Sequence, residues 1–211
     1  DFKFKSLSTR NLQMTFDHKR IFQHPLNTKI NTNEKVGIYG QSGSGKSTLL
    51  KIISGQIQNY QGSIRLNNIE EKEISYDSLR QTAIYIDQTP YLFDDTVLYN
   101  LTLGENFPSE QINSVLEKID LVDFVNQLPQ GLNTQIGEGG ASLSGGQKQR
   151  LALARGLLRK KSLFLFDEST SNLDKKTALK VENDFLKQKD ITVIFVSHQL
   201  HEENKDRFDQ L

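Results

Sequence analysis

The sequence has 211 residues, a length that fits one doubly wound domain or one domain with an inserted subdomain. Its 26 basic and 26 acidic residues balance, which argues against a nucleic-acid-binding surface, and the lack of cysteine excludes disulfides and thiolate metal sites. No apolar run approaches the ~20 residues of a membrane span. Because the chain begins with Asp1 and shows no signal-peptide pattern, we expect a domain cut from a longer protein.

Strands are predicted from two kinds of apolar pattern. Leu12, Met14 and Phe16 alternate with polar residues, which predicts a half-buried strand. Residues 64–66 alternate in the same way before an Asn-Asn turn, which predicts a second one. Three further runs are apolar throughout, which favours parallel strands covered on both faces: Val36–Tyr39, Leu163–Phe166 and Ile191–Val196.

Helical spacing marks the segments between these strands. It runs over residues 49–53, which end at Gly55 as a candidate C-cap, and recurs over residues 151–158. Between about Pro90 and Gly140 no strong strand pattern occurs, so we interpret this stretch as a helical insertion. The spacing predicts three helices there: Val97–Leu103, Ser109–Ile119 and Leu121–Leu128.

The stretch that begins at Gly40 matches a phosphate-binding loop. Its spacing is Gly40-x4-Gly45-Lys46-Ser47, directly between an apolar strand and a helix, a context that favours phosphate binding over a glycine-rich surface turn. Glycines let backbone N–H groups converge on phosphate oxygens. We expect Lys46 to reach the β- and γ-phosphates and the Ser47 hydroxyl to bind Mg²⁺. The predicted nucleotide-binding residues of this loop are Gly40, Gln41, Ser42, Gly43, Ser44, Gly45, Lys46, Ser47 and Thr48.

Two carboxylates follow the apolar run that ends at Phe166. Asp167 stands where a strand would emerge, and we expect it to hold Mg²⁺ through water. Glu168 follows immediately and is a candidate to polarise the attacking water. An ordinary solvated carboxylate at a strand end is the alternative for Glu168.

A second glycine-rich element, Leu-Ser-Gly-Gly-Gln at residues 143–147, precedes the other helical pattern. Ser144 with Gln147 three residues later is a capping box. That explanation alone does not require the adjacent Gly145 and Gly146, each of which lowers helix stability. Paired glycines at a helix start let the backbone approach a phosphate closely. Because the first loop already holds one nucleotide's phosphates, we expect this element to serve the nucleotide of another molecule.

Together these elements resemble the ATP-binding domains of ABC transporters, exporter type, in the family's order and over nearly the whole chain. The resemblance implies an α/β fold: a P-loop NTPase core with a mostly parallel sheet, an antiparallel β subdomain and an inserted α-helical subdomain. It implies one ATP-binding domain over residues 1–211, with the core at 1–89 and 156–211 and the helical subdomain, which carries the signature motif, at about 90–155. Relatives continue past Leu211, so we expect the C-terminal end to be truncated.

The resemblance also assigns roles to residues outside these motifs. Gln88 matches the Q-loop glutamine, a contact to Mg²⁺ and water and the link to the transport partner. Ser171 and Asp174 match the D-loop, and His198 matches the switch histidine that contacts the γ-phosphate, although a histidine after a strand is more often structural. In the family, two domains pack head to tail, so that ATP lies between one P-loop and the opposite signature. The signature residues here are Leu143, Ser144, Gly145, Gly146 and Gln147.

Two further segments look like those of exporter-type members. Residues 134–140 resemble the X-loop, whose acidic residue, here Glu138, lies near the intracellular loops of the membrane domains. Thr96, Val97 and Asn100 after the Q-loop also look exporter-like. Taken alone, residues 137–140 are only a flexible loop.

Two positions depart from the family pattern. The family stacks a tyrosine on the adenine ring, and alignment of residues 14–18 places His18 there, with Phe16 two residues earlier. An imidazole offers a smaller face, so we expect weaker adenine binding; a surface histidine is the alternative. Asp87 precedes Gln88 where the family more often has an uncharged residue, and the sequence does not explain it.

The resemblance implies ATP hydrolysis with Mg²⁺ by head-to-tail dimers, which drives export of a substrate across a membrane. The expected partners are a second copy or a sister ATP-binding domain, and transmembrane domains on the same or a separate chain, with no nucleic acid. The expected location is the cytoplasmic face of a membrane, with the fragment itself soluble. One alternative is a soluble ABC ATPase that acts mechanically on ribosomes or DNA. Another is a nucleotide sensor without turnover, against which Glu168 and His198 argue.

Overall fold

The described residues form two compact units. The computed structural model describes residues 2–211. The first unit comprises the described residues up to Tyr85, Lys161–Glu168 and Lys189–Leu211, and the second comprises Ile86–Lys160 and Ser169–Gln188. The predicted boundaries, with the core at 1–89 and 156–211 and the helical subdomain at about 90–155, stay a prediction.

Strands are concentrated in the first unit. In chain order they are β1 Ser6–Gln13, β2 Thr15–Phe16, β3 Lys19–Arg20, β4 Leu26–Asn31, β5 Lys35–Tyr39, β6 Gln61–Leu66, β7 Ile69–Glu70, β8 Ala83–Ile86, β9 Leu163–Asp167 and β10 Thr192–Ser197. One antiparallel sheet has the order β4-β1-β6-β7, and β2 and β3 form a separate hairpin. The second predicted strand is confirmed by β6, after which Asn67 and Asn68 turn the chain with positive φ.

The other sheet, of order β5-β10-β9-β8, brings several strand ends to one edge. β10 pairs in parallel with β5 and with β9, so that Ser197 lies beside Tyr39 and Val196 lies beside Asp167. The carboxyl ends of parallel strands share one edge of a sheet, and the segments that follow β5, β9 and β10 therefore begin next to one another. β9 and β10 are buried throughout, which confirms the parallel strands predicted from unbroken apolar runs.

Two of the helices in residues 2–211 lie in the first unit, and the other five belong to the second. They are α1 Lys46–Ile53, α2 Tyr76–Thr82, α3 Val97–Thr102, α4 Ser109–Lys118, α5 Val122–Gln127, α6 Gly145–Leu158 and α7 Lys175–Leu186. The helical stretch predicted between Pro90 and Gly140 is confirmed by α3, α4 and α5. α1 ends as predicted, because Gly55 follows its cap with a φ of 74° and donates to the carbonyl of Ile52.

The alternation around Phe16 is only partly realised. Leu12 and Met14 are buried, but the Phe16 side chain is 68% exposed, so its predicted burial is wrong. β1 ends at Gln13 after a register shift near Asn11, whose φ is 48°. The chain then forms the β2–β3 hairpin, which carries Phe16 away from the core.

α6 lies at the centre of the second unit. Its Arg150 forms an ion pair of 2.6 Å with Asp184 of α7, and both side chains are buried. The pair joins the two helices, and removing either partner would leave an uncompensated buried charge. Within residues 2–211, no helix has the length and apolar character needed to cross a membrane.

Candidate nucleotide-binding site

The loop after β5 turns sharply into α1. Gly43 and Gly45 have φ values of 79° and 90°, in the left-handed region that glycine enters without a steric cost. A Cβ atom on Gly45 would lie 2.7 Å from Cγ2 of Ile21, so the loop packs too closely on the preceding segment to admit a side chain. α1 begins at Lys46 without a side-chain cap. Its N-terminus therefore presents the positive end of the helix dipole at the loop.

Lys46, the first residue of α1, is only 7% exposed. Its Nζ atom donates to the carbonyl oxygens of Gly40 and Gln41, each at 2.8 Å. A buried ammonium group requires such acceptors, and the loop supplies them from its own backbone. The loop thus combines one fixed positive charge with a helix N-terminus, an arrangement that binds phosphate well.

Asp167, at the end of β9, receives two hydroxyl groups. The Ser47 Oγ atom donates to its Oδ1 at 2.7 Å, although the two residues are 120 positions apart in the chain. The Tyr85 hydroxyl of β8 donates to its Oδ2. Asp167 itself is buried. The two residues predicted to serve Mg²⁺, Ser47 and Asp167, therefore lie in contact and form a cluster of oxygen atoms beside the loop.

Glu168 and His198 meet at the same edge. The Glu168 Oε2 and His198 Nδ1 atoms are 3.4 Å apart, and both side chains are partly exposed. The Glu168 backbone has a φ of 47°, unusual for a residue other than glycine, while its N–H donates to the carbonyl of Val196 at 2.9 Å. Strained backbone of this kind persists where surrounding contacts impose it, and it is common at functional sites. The first unit therefore gathers Lys46, Ser47, Asp167, Glu168 and His198.

The predicted base-stacking residue His18 lies at the tip of the β2–β3 hairpin. Asp17 and His18 both have positive φ, 46° and 60°, as in the type I′ turn of a two-residue hairpin. The His18 side chain is exposed. Phe16, two residues earlier, is the larger exposed ring of this hairpin.

The residues predicted for the Q-loop and the D-loop meet within the second unit. The Gln88 Nε2 atom donates to Ser171 Oγ at 2.7 Å. Gln149 of α6 is buried, and its Nε2 atom donates to the backbone carbonyls of Asp87 and Gln88 at 3.1 and 2.8 Å. Asp87, which the sequence did not explain, is exposed and accepts from the N–H of Gln88 at 2.7 Å. Its carboxylate therefore helps to shape the turn at Gln88.

The capping box predicted for the signature is confirmed. The Gln147 N–H donates to Ser144 Oγ at 3.2 Å, and the Ser144 N–H donates to Gln147 Oε1 at 2.8 Å. A Cβ atom on Gly145 would lie 2.5 Å from Cδ2 of Leu173, and one on Gly146 would lie 2.7 Å from Cγ2 of Thr177. The glycine pair thus has a packing reason within the chain that the sequence did not reveal. Leu143, just before it, is buried.

Asp174 begins α7. Its side chain accepts from the N–H of Thr177 at 3.1 Å, which makes it the N-cap of that helix. Hydrogen bonds from the side chain and backbone of Thr177 lower the pKa of Asp174 below its ordinary value. The D-loop residues predicted by resemblance therefore lie at a capped helix start, beside Leu173, which packs on Gly145.

Sequence reasoning missed three residues that organise these segments. Tyr85, Gln149 and Arg155 lie within a strand or helix, where no spacing rule singles them out. Arg155 of α6 donates from Nε to the carbonyl of Asn100 and from Nη1 to the carbonyl of Tyr91, each at 2.6 Å. Burial lowers its pKa to about 10. Only a knowledge of which elements are neighbours identifies these partners.

The loop, the helix N-terminus and the paired carboxylates define a P-loop nucleotide-binding domain. A family model described as ABC transporter matches residues 23–171, which is most of the chain. The chain therefore belongs to the ABC transporter family. The family predicted from the sequence is confirmed, and ATP is the nucleotide of that family.

Named relatives agree with this assignment. The chain is 42% identical over 173 residues to the pediocin PA-1 transport/processing ATP-binding protein of Pediococcus acidilactici. The aligned region covers 80% of this chain and 24% of the relative. It is 33% identical over 206 residues to an ATP-dependent lipid A-core flippase of Francisella tularensis, with 96% and 34% covered.

A solved structure has the same fold. A bacterial Atm1-family ABC exporter with ATP bound matches 94% of this chain and 35% of its own, with a TM-score of 0.83 and 30% identity. The predicted fold class is confirmed. The chain spans about a third or less of the length of these relatives.

Proposed function

We propose that this chain binds and hydrolyses ATP as one half of a head-to-tail pair, and that the pair drives export through transmembrane domains. The observation that carries the proposal is the meeting of Ser47 with Asp167, and of Glu168 with His198, at the edge where the P-loop begins. A phosphate site alone needs neither of these pairs. Hydrolysis needs both a charge-stabilising group and a group that orients water.

Each residue has a role in this proposal. Lys46 and the amides of residues 40–48 bind the phosphates. Glu168 accepts a proton from the attacking water, and His198, 3.4 Å away, contacts the γ-phosphate and helps to orient Glu168. Ser144 and the adjacent glycines of the partner domain close the site from the other side. Gln88 links it to the transport partner, and the contact of Gln88 with Ser171 supports joint movement of the Q-loop and D-loop.

The oxygen ligands fit Mg²⁺. Ser47, Asp167 and Gln88 would hold the ion, with Asp167 acting through water, and the ion would neutralise charge on the phosphates. No group of three or more His, Cys, Asp or Glu side chains that could bind a metal by itself occurs in residues 2–211. A site with few protein ligands is the usual one for Mg²⁺, which takes its remaining ligands from water and substrate phosphates.

The adenine contact is proposed for the β2–β3 hairpin. His18 remains the predicted stacking residue, and Phe16 is a second candidate because its larger ring is 68% exposed. Binding of a fluorescent ATP analogue to His18→Ala and Phe16→Ala separates them. The variant with the larger loss identifies the ring that stacks.

Export, rather than mechanical work on ribosomes or DNA, is supported by the names of the relatives, which are a transport/processing protein and a flippase. We propose the cytoplasmic face of a membrane as the location. A surface for the membrane partner is formed by the groove of about 560 Å³ that Glu138 and the 72%-exposed Tyr91 line together. We retain the two-part organisation, a core and a helical subdomain over about residues 90–155.

The test is Glu168→Gln, with Glu117→Gln as a control at an exposed position on α4. Glu168→Gln should retain ATP binding, lose at least about 100-fold in turnover and form a dimer with ATP that sedimentation detects. Specific activity of the unchanged chain should rise with protein concentration. Normal turnover in Glu168→Gln would show that this residue has no role in hydrolysis. Turnover that does not depend on protein concentration, together with no detectable dimer, would contradict the proposed head-to-tail pair.

A further inference from the structure

The Tyr85 hydroxyl reaches the carboxylate that is proposed to serve the metal. Tyr85 lies on β8, next to β9 in the sheet, and its ring packs against the core of the first unit. The hydroxyl donates to Asp167 Oδ2, while Ser47 Oγ donates to Oδ1 at 2.7 Å. Both oxygens of this buried carboxylate therefore accept a hydroxyl hydrogen bond.

The two hydrogen bonds are not equivalent. The Ser47 hydroxyl belongs to the phosphate loop, and it leaves Oδ1 if it turns to bind a metal. The Tyr85 hydroxyl lies on a ring that packs against the core of the first unit, outside the phosphate loop, so its hydrogen bond to Oδ2 does not depend on a movement of that loop. Asp167 is left with one oxygen that can face an ion or its water.

We propose that Tyr85 is a positioning residue which restricts Asp167 to one available oxygen and so favours Mg²⁺ over Ca²⁺ at the nucleotide site. This inference rests on the proposed function of the P-loop and Asp167. Ca²⁺ is larger, takes six to eight oxygen ligands and often binds both oxygens of a carboxylate. Mg²⁺ requires a near-ideal octahedron, keeps several waters and needs only one carboxylate oxygen. A phenol on Oδ2 therefore hinders direct binding of Ca²⁺ to both oxygens of Asp167. It costs Mg²⁺ nothing, because Mg²⁺ reaches Asp167 through water and Oδ1 alone can accept that water.

The test is Tyr85→Phe, which removes the hydroxyl and keeps the ring. Binding of a fluorescent ATP analogue is titrated with Mg²⁺ and, separately, with Ca²⁺, and is also measured without a divalent ion. The ratio of the half-saturating Ca²⁺ concentration to that of Mg²⁺ should fall by about three- to tenfold, the change expected for one hydrogen bond. Binding without a divalent ion should not change.

Tyr60→Phe is the matched control. Its hydroxyl also donates to a carboxylate in the first unit, Glu71 Oε2 at 2.9 Å, but that carboxylate is not Asp167. The ion ratio of Tyr60→Phe should equal that of the unchanged chain, and equal shifts in both variants would overturn the proposal. An unchanged ratio in Tyr85→Phe, with metal dependence intact, would overturn it as well.

A double-mutant cycle separates this effect from general loosening of the strand. In an Asp167→Asn background, Tyr85→Phe should change the ion ratio no further, because the carboxylate that Tyr85 restricts is gone. An equal shift in both backgrounds would contradict the proposed route through Asp167. If the unchanged chain binds the nucleotide equally well with and without Mg²⁺, the proposed function itself fails, and this outcome is distinct from a failure confined to Tyr85.

Discussion

The P-loop and the signature turn look alike in sequence, since both place glycines directly before a helix, but they differ in how that helix begins. α1 starts after Gly45 without a side-chain cap. α6 starts after Ser144 with a complete capping box. In the P-loop, bare backbone and Lys46 can therefore surround an anion, whereas Ser144 already accepts the N–H of Gln147 and has only its own hydroxyl hydrogen to donate.

The glycines of the two elements also serve different purposes. At Gly43 there is room for a side chain, because a Cβ atom there would meet nothing within 4 Å. Its φ of 79° nevertheless disfavours residues other than glycine. Gly145 has no such φ, yet its Cβ atom would lie 2.5 Å from Leu173. The first element is a loop whose backbone conformation requires glycine, and the second is a helix start packed against its own chain. Glycines before a helix thus form a phosphate loop in one place and a tightly packed helix start in the other.

The largest expected effect concerns the charge in the P-loop. Lys46→Ala should weaken ATP binding by at least about 100-fold, because it removes a buried ammonium group from a phosphate site. Calorimetric titration measures the change. Lys51→Ala, at an exposed position in the last turn of α1, is the control and should bind normally. Near-normal binding by Lys46→Ala would mean that the loop backbone alone carries the affinity.

The next effect tests whether the signature faces a partner's phosphate. Aspartate caps helices as well as serine does, so Ser144→Asp should retain the thermal stability of the unchanged chain. Its negative charge should nevertheless weaken ATP-dependent dimerisation in a Glu168→Gln background by at least about tenfold. Sedimentation at several concentrations measures this. A dimer of unchanged strength would place Ser144 away from the phosphates.

The glycines provide a smaller effect that bears directly on the comparison. Gly146→Ala should lower stability by about 1–3 kcal/mol through overpacking against Thr177, and should leave ATP binding by the monomer unchanged. Gly43→Ala should cost about 1–2 kcal/mol through backbone strain and should also weaken ATP binding. Denaturant unfolding and titration of the same samples give both quantities. If Gly146→Ala lost ATP affinity and Gly43→Ala did not, the assignment of Gly43 to phosphate binding and of Gly146 to packing would be wrong.

The smallest effect concerns the far end of α1. Glu71 is fully buried near Gly55, and burial raises the pKa of its carboxyl group, although a hydrogen bond from Tyr60 opposes the rise. The contribution of this carboxyl group to the free energy of unfolding is therefore fully present at a pH below its pKa in the unfolded chain. It is lost as the pH rises through the raised pKa of the folded chain. Glu71→Gln should be more stable than the unchanged chain by about 1 kcal/mol at pH 8 and by less at pH 4.5. Thermal unfolding across this range checks it, and a difference independent of pH would contradict the assignment.

Local patterns were enough for several elements. The three apolar runs form parallel strands, as expected for short unbroken runs that a sheet buries on both faces. The helices between Pro90 and Gly140 and the capping box at Ser144 also followed from spacing. α2 and α7 were not predicted: α2 contributes little apolar surface, with Leu79 its one buried hydrophobic residue, and α7 is rich in lysine. Phe16 was predicted as buried, since a pattern of alternation does not show where a strand ends.

The sequence by itself determined the family, the phosphate loop and the residues that follow each core strand, since these depend on short-range spacing and on the rule that parallel strands end at one edge. Only the tertiary structure decided that Tyr85 and Ser47 share Asp167, that Gln149 holds the backbone at Gln88, and that the signature glycines make room for Leu173 and Thr177. The physical reason is that such contacts join residues distant in the chain. Their partners are chosen by strand order and helix packing, which no local pattern encodes.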